Sequence, residues 1–273
     1  MKTRLDILLV NNGFAASREK AKNLIKEGRV SVDGKVITKA SFEADEEADI
    51  DVSASEDEFV SRGGYKLLKA IQQFNIDLSN KTCMDIGAST GGFTDCMLKH
   101  GAEKVFAIDV GHDQLAEVLL NDERVISLEE TNFRYVTPED FEEFSEDESG
   151  SVTIDFASVD VSFISLKIIL PVAHRLLDDG GEMACLIKPQ FEAGKERVGK
   201  HGVVKEKSVH EDVIKQIISF SKDIGFSVAG LTYSPIKGPE GNIEYLIYIK
   251  KSSEESLDVN VKNVVLSAHG ELR

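Results

Sequence analysis

Four charged residues, two lysines and two carboxylates, stand where α/β proteins often position reactive side chains. Lys66 precedes the first predicted strand of a sheet, Asp160 and Lys188 each end a predicted strand, and Glu244 precedes the last one. Ligands bind at the carboxyl ends of parallel strands, so Asp160 and Lys188 are expected to face one cleft. Taken singly, each of the four also fits an ordinary helix-surface, ion-pair or edge-strand position.

A glycine-rich turn at residues 85–93 follows a predicted strand and opens a predicted helix. Its small residues are Gly87, Ser89, Gly91 and Gly92. Glycines let a backbone approach a ligand closely. Asp109 ends the next strand roughly 20 residues later, where an acid suits a ribose diol. The turn therefore predicts a nucleoside-type ligand.

Several kinds of site fit this turn to different degrees. A dinucleotide oxidoreductase would have glycine where Ser89 stands, and a phosphate-binding loop would end in Gly-Lys-Ser or Gly-Lys-Thr. A nucleophile elbow, G-x-S-x-G, matches and could recruit Asp160 with His201 or His210. Asp85 favours S-adenosylmethionine, because a carboxylate attracts its sulfonium and would repel a pyrophosphate. The turn alone leaves these alternatives open, since such turns recur on many α/β folds.

The order of the elements predicts an α/β fold with a parallel sheet after residue 59. Strands are predicted at 82–85, 104–109, 125–128, 154–159 and 183–187, with helices near 93–100, 113–120, 166–177 and 209–224. Two last strands, 227–233 and 245–249, are joined only by a loop and are expected to pair antiparallel.

The first 58 residues predict a separate small α+β domain. Leu5, Leu8 and Leu9 have helical spacing, Ser17 is a suitable N-cap for a second helix, and the dipeptide at 33–34 predicts a hairpin. The acidic run at 43–58 is expected to be a solvated linker and that at 139–148 a solvated loop.

Basic residues gather in the first 41 positions, although the whole chain has a net charge of −16. Arg18, Lys22 and Lys26 are one helical turn apart and form a ridge that Arg29 continues. Such a ridge can follow a phosphate backbone, whereas an ordinary solvated helix face is the plainer alternative.

The composition argues against several classes of protein. No apolar run is long enough for a membrane span, and the N-terminus lacks the features of a signal peptide. Cys83, Cys96 and Cys185 have no metal-ligand spacing and are expected to be reduced core residues. We therefore expect a cytoplasmic protein without a metal site and without a membrane partner.

The N-terminal motifs resemble the S-four RNA-binding domain. The resemblance is carried by residues 4–6, 16–21 and 25–35 and spans about the first fifty residues. It implies binding of structured RNA through the helix and hairpin face. The expected RNA contacts are Arg4, Arg18, Lys22, Lys26, Arg29 and Arg62.

The four charged residues match, in order and context, the Lys-Asp-Lys-Glu tetrad of FtsJ-like ribose methyltransferases. With segments 61–67, 85–94, 188–191 and 238–245, the chain resembles the TlyA family, described as rRNA cytidine 2′-O-methyltransferases and often labelled haemolysins. The resemblance implies an S-four domain at 1–58, a Rossmann-like class I methyltransferase domain at 59–273 with helices on both faces of its sheet, S-adenosylmethionine as cofactor and ribosomal RNA as substrate. The expected cofactor contacts are Asp85, Gly87, Ser89, Gly91, Gly92, Phe93 and Asp109.

The resemblance also suggests roles for the tetrad. Lysine has an ordinary pKa of about 10.4, and a nearby cation or burial must depress it before lysine acts as a base. We expect Lys188 to be the base, Lys66 to assist as the second cation and orient the hydroxyl, Asp160 to hold both lysines, and Glu244 to complete the set. A basic loop at 190–207 is a candidate RNA contact, and a mobile, solvated loop without a partner is the alternative.

Three other functions compete with this interpretation. The first is a non-catalytic RNA-binding or ribosome-associated protein that retains a cofactor fold. The second is a serine hydrolase built on Ser89. The third is a membrane-lysing toxin, which the lack of a signal peptide and of a basic amphipathic helix disfavours.

Overall fold

The structure, a computed structural model, describes residues 2–15, 17–26, 28–52, 59–145 and 152–272. Contacts along the chain separate two units, Met1–Glu58 and Phe59–Arg273. No helix among the described residues is long and apolar enough to cross a membrane. Cys83, Cys96 and Cys185 are buried, as the sequence predicts, and none of the three forms a disulfide bond in this structure.

The N-terminal unit combines two helices with two small antiparallel sheets. Its elements are β1 (Lys2–Arg4), α1 (Leu5–Asn11), α2 (Arg18–Lys26), β2 (Val30–Val32), β3 (Lys35–Ile37), β4 (Glu43–Asp45) and β5 (Ile50–Val52). β1 pairs with β4, and β2 lies between β3 and β5. The Ser17 hydroxyl accepts a hydrogen bond from the Lys20 amide at 3.3 Å, as an N-cap does. The apolar faces of both helices, with Leu5, Leu9 and Ile25 fully buried, form the core.

The prediction of a solvated linker at 43–58 is wrong for its first ten residues. Those residues contain β4 and β5, and residues 53–58 lie outside the described part of the chain. In β4 the side chains alternate, so Ala44 is buried while Glu43 and Asp45 face solvent. In the second acidic run, residues 138–144 form a 3₁₀ helix that buries Phe141, and 146–148 are not described. The acidic composition of these runs therefore gave no sign of the single apolar residues that they bury.

One seven-stranded sheet forms the centre of the second unit, Phe59–Arg273. Its strands are β6 (Thr82–Ile86), β7 (Lys104–Ile108), β8 (Val125–Leu128), β9 (Phe156–Val159), β10 (Glu182–Ile187), β11 (Ser227–Tyr233) and β12 (Tyr245–Lys250), in the order β11-β12-β10-β9-β6-β7-β8. β6 to β10 are parallel, and β12 pairs antiparallel with β10 and β11. The predicted parallel sheet and antiparallel last pair are confirmed.

Helices cover both faces of this sheet. They are α3 (Gly64–Phe74), α4 (Gly92–Lys99), α5 (Glu117–Leu120), α6 (Leu166–Leu176), α7 (Pro189–Glu192), α8 (Lys207–Asp223) and α9 (Val261–Glu271). Side chains of α3, α4 and α5 pack in one apolar cluster, and those of α6, α8 and α9 pack in the other. The prediction of a helix at 113–120 is wrong in its first half. Asp113 has a φ of 51°, which is not helical, and its amide donates a hydrogen bond to the Glu129 carboxylate instead.

Candidate active site

A cleft of about 320 Å³ lies where β6, β9 and β10 end. It is lined by Ser61, Arg62, Gly63, Lys66, Gly87, Ala88, Ser89, Thr90, Gly92, Phe93, Asp160, Ser162 and Lys188. A wider cleft of about 990 Å³ lies between the 196–206 loop and α9 and has none of the four tetrad residues in its lining. The smaller cleft is therefore the one in which the chemistry of the tetrad is possible.

The four charged residues come together beside this cleft. The ammonium group of Lys66 lies 2.7 Å from Glu244 Oε2 and 3.3 Å from Asp160 Oδ2. Lys188 forms an ion pair with the other oxygen of Asp160. The side chains are little exposed, at 8% for Lys66, 7% for Lys188, 19% for Asp160 and 0% for Glu244. Two lysines and two carboxylates thus form a network that is nearly closed to solvent.

Three members of this network are each placed by a different part of the chain. Lys66 lies in the first turn of α3 on the helix face that also buries Leu67. The Asp160 amide donates to the Ile86 carbonyl at 3.0 Å, which fixes the end of β9 against β6. Glu244 packs directly against Gly238, where a Cβ would lie 2.1 Å from Glu244 Oε1 and would force the carboxylate to move.

The two lysines differ in their surroundings. Burial alone would disfavour the charged form of Lys66, but the carboxylates of Asp160 and Glu244 outweigh it and raise the Lys66 pKa. The raised pKa favours the protonated form of Lys66, the second cation of the set. Lys188 contacts one carboxylate, and it also donates to the Ser162 hydroxyl at 3.1 Å.

The glycine turn has the backbone conformation that its sequence requires. Gly87 and Gly91 have φ values of 88° and 90°, and Ser89 adopts a φ of 49°. A Cβ at Gly91 would lie 2.2 Å from Leu119, and one at Gly87 would lie 3.0 Å from the Asp160 carbonyl oxygen. The turn therefore packs closely against Asp160 and leaves its outer surface in the cleft. This bare backbone beside the ion network fits a nucleoside-type methyl donor.

Asp85 does not reach the cleft, which corrects the expectation that its carboxylate meets the cationic end of the cofactor. The side chain is fully buried beneath the turn. It accepts hydrogen bonds from the Thr94 amide and hydroxyl at 2.8 and 2.7 Å and from the Ser158 hydroxyl at 3.1 Å. Burial without a cation raises the Asp85 pKa to about 7. Asp85 therefore fixes the start of α4 to β6 and β9.

Two other predicted cofactor residues, Asp109 and Gly92, also have structural contacts, whereas Phe93 lines the cleft. Both carboxylate oxygens of Asp109 accept backbone hydrogen bonds at 2.8 Å, one from Ser89 and one from Gly111. Gly92 lets α4 approach the segment before α3, because a Cβ there would lie 2.3 Å from the Ser61 hydroxyl oxygen. Phe93 lines the cleft although only 3% of its surface is exposed. Asp109 thus connects the glycine turn to the loop after β7.

The predicted RNA contacts fall into two groups. In the N-terminal unit, Arg4 and Arg18 both donate hydrogen bonds to the fully buried Asp6. The nitrogen–oxygen distances are 2.9 Å for Arg4 and 3.0 Å for Arg18. Their own side chains remain 42% and 55% exposed. On α2, Lys22 is half-buried and Lys26 is exposed. Arg29, which follows that helix, is half-buried. Arg62 is exposed at the cleft of the second unit.

The two histidines that the sequence suggested as partners of Ser89 have other surroundings. His210 is fully buried, and its two ring nitrogens lie 2.8 Å from the Tyr245 hydroxyl and 2.9 Å from the Val204 carbonyl. His201 lies in the separate 990 Å³ cleft. Neither histidine is placed to activate the Ser89 hydroxyl, so the serine-hydrolase alternative is not supported.

Sequence reasoning missed Ser162, the hydroxyl that contacts Lys188. Its only signal was its place two residues after Asp160, in the turn that follows a parallel strand. That position is at the ligand-binding edge of the sheet, so the spacing alone could have suggested it.

Known proteins resemble the chain along its whole length. The FtsJ-like methyltransferase family matches residues 59–251, and the S4 domain matches residues 3–50. The Bacillus subtilis protein YqxC is 45% identical over 100% of this chain and 96% of its own. The Mycobacterium tuberculosis 16S/23S rRNA (cytidine-2′-O)-methyltransferase TlyA is 38% identical over 94% and 92%. A solved structure from Streptococcus thermophilus, which carries the name hemolysin, is 44% identical, with a TM-score of 0.74 over 99% and 96% of the two chains. Fold, site and relatives agree that this chain is an S-adenosylmethionine-dependent enzyme that belongs to the TlyA family of FtsJ-like methyltransferases.

Proposed function

We propose that this protein methylates the ribose 2′-hydroxyl of a cytidine in ribosomal RNA. The observation that carries the proposal is the buried network of Lys66, Asp160, Lys188 and Glu244 beside the glycine turn. A ribose hydroxyl is a weak nucleophile until it loses its proton, and a lysine held beside the cleft is suited to take that proton. The TlyA name of the Mycobacterium tuberculosis relative supports cytidine in rRNA as the target.

The roles of the four residues follow from their contacts. Lys188 accepts the hydroxyl proton at Nζ, because it lines the cleft and pairs with a single carboxylate. Lys66 remains protonated between Asp160 and Glu244 and holds Asp160 in place. Glu244 keeps Lys66 charged in a buried position. Such fixed geometry contributes to the rate because the reacting groups need not be reoriented in each turnover.

The glycine turn and the charges of the N-terminal unit provide the two binding functions. S-adenosylmethionine supplies the methyl group as an electrophile. Gly87 and Ser89, with Asp109 behind them, would hold it against the cleft. Arg4, Arg18 and the α2 lysines Lys22 and Lys26 would contact the phosphate backbone of RNA, as the S4 match supports. A ribosomal substrate would place the protein in the cytoplasm.

The test is transfer of a labelled methyl group from S-adenosylmethionine into purified ribosomal RNA and ribosomal subunits. Nucleoside mass spectrometry should then find 2′-O-methylcytidine. Lys188→Ala should lower transfer at least ~10²-fold, the usual contribution of a general base, while cofactor affinity measured by calorimetry changes little.

Three results would contradict the proposal. Label on a base rather than a ribose would move the chemistry elsewhere, and full turnover by Lys188→Ala would remove Lys188 from its role. A complete absence of label, with RNA binding retained, would favour a non-catalytic RNA-binding protein.

A further inference from the structure

Ser162 is placed between the proposed base and solvent. Its hydroxyl accepts a hydrogen bond from Lys188 Nζ at 3.1 Å. Ser162 is exposed, whereas the Lys188 side chain is 7% exposed. The residue lines the same cleft as the tetrad, yet it belongs neither to the tetrad nor to the glycine turn.

The other contacts of Lys188 Nζ differ from Ser162 in chemistry. They are a carboxylate oxygen of Asp160 and, at 3.5 Å, the Asp160 carbonyl oxygen. A carbonyl oxygen only accepts hydrogen bonds, and so does an ionised carboxylate, whereas a hydroxyl both accepts and donates. Of these contacts, Ser162 alone is an exposed hydroxyl that can receive one proton and release another.

Lys188 must lose a proton after each turnover if it is to act as a base again. The far side of the network offers no exit, because Glu244 is completely buried and Lys66 is already protonated. The Lys188 side chain itself is only 7% exposed, which limits direct access of water to Nζ. A side chain that spans the distance from Nζ to solvent would remove this obstacle.

We propose that Ser162 is a positioning residue that resets Lys188 by passing its proton to solvent, an inference that rests on the proposed function. In the chemical step the ribose O–H bond breaks and an N–H bond forms at Lys188 Nζ. In the reset step that ammonium group loses one proton to Ser162 Oγ, while the original hydroxyl proton of Ser162 passes to water. The lysine is left neutral and the serine unchanged, with no change of oxidation state.

The decisive experiment compares single-turnover with steady-state methylation in Ser162→Ala. The reset follows methyl transfer, so the first turnover should stay within about 3-fold of the wild type, while the steady-state rate falls at least ~10-fold. A burst of one methyl group per enzyme should then appear. Ser162→Thr keeps the hydroxyl and should restore the steady-state rate, and a high concentration of imidazole should partly rescue the alanine variant.

A second readout does not depend on activity. In ¹⁵N-lysine-labelled protein without RNA or cofactor, the Lys188 ammonium protons should exchange with water more slowly in Ser162→Ala. Ser208→Ala, an exposed serine at the start of α8, is the matched control and should alter neither measurement.

The proposal has clear contrary results. An equal fall in the first turnover and in the steady state would show that Ser162 acts on the chemical step and would overturn the reset role. Unchanged kinetics and unchanged proton exchange would overturn it as well. Failure of the wild-type protein to methylate RNA would instead contradict the proposed function, so the two failures are distinguishable.

Discussion

The two units each bury an aspartate completely, and the two carboxylates respond in opposite ways. In the N-terminal unit, hydrogen bonds from Arg4 outweigh the burial of Asp6, and with Arg18 they lower its pKa to about 2. In the catalytic unit, burial outweighs the neutral donors around Asp85 and raises its pKa to about 7. Cationic donors thus favour the ionised form of Asp6, whereas deep burial among neutral donors favours the neutral form of Asp85.

The tetrad combines features of both cases. Like Asp6, Asp160 and Glu244 are paired with cations, but those cations are themselves buried. Arg4 and Arg18 keep much of their surface in solvent, whereas the two lysines do not. The N-terminal unit thus uses a buried acid to present cations outward, and the catalytic unit uses buried acids to hold cations at a cleft.

Removing a buried cation of the tetrad should have the largest effect on stability and activity. Lys66→Met leaves Glu244 as a buried carboxylate without its partner, so the free energy of unfolding of the catalytic unit should fall by about 3–5 kcal/mol. Methyl transfer should fall at least ~10²-fold. Denaturant unfolding followed by amide exchange in β6 and β9 measures the first effect, and the labelled-methyl assay measures the second.

The double variant Lys66→Met/Glu244→Gln is the control for this prediction. It removes both charges, so most of the lost stability should return while methylation stays low. Full stability in the single variant would contradict the idea that Lys66 compensates a buried charge.

Asp6→Asn and Asp85→Asn should show opposite pH dependences. Asp6 has a lowered pKa, so its stabilising contribution is present above its unfolded pKa of about 3.9 and is lost as pH falls through about 2. Asp6→Asn should therefore cost about 2 kcal/mol at neutral pH and progressively less below pH 4. Asp85 has a raised pKa, so wild-type stability should fall from about pH 4 to about pH 7, and Asp85→Asn should remove that fall.

These profiles should be measured separately for the two units. Amide exchange of Ile25 reports on the N-terminal unit and that of Met84 on the catalytic unit, which avoids assuming one cooperative transition. Parallel profiles for the two variants would refute the contrast between cationic and neutral donors.

The smallest structural effect is expected for an exposed cation. Arg18→Ala leaves Asp6 with both hydrogen bonds from Arg4, so stability should change by less than about 1 kcal/mol. If Arg18 contacts a phosphate, RNA affinity should fall and the slope of log affinity against log salt should decrease by about 0.7–0.9. Filter binding across a salt series measures both quantities.

Lys215→Ala is the control for this prediction, because Lys215 is an exposed lysine on α8 in the catalytic unit. Its removal should leave the salt slope unchanged. An unchanged slope in Arg18→Ala would show that the S4-domain arginine does not meet the RNA backbone.

The sequence by itself determined the features that depend on neighbours in the chain. The strand and helix alternation, the Ser17 cap, the hairpin at 33–34 and the glycine turn are all set by local periodicity and by the conformations that single residues allow. The order of Lys66, Asp160, Lys188 and Glu244 was also visible, because a motif records order even when its members are distant.

Only the tertiary structure decided the charge states and several contacts. Lys66 meets Glu244 across 178 positions, and that pairing, with Asp160, raises its pKa. Asp85 turned away from the cleft because Thr94 and Ser158 fold around it. Ser162 became a neighbour of Lys188 only when β9 and β10 paired. Burial and electrostatics depend on which distant residues come together in space, and no local pattern encodes that.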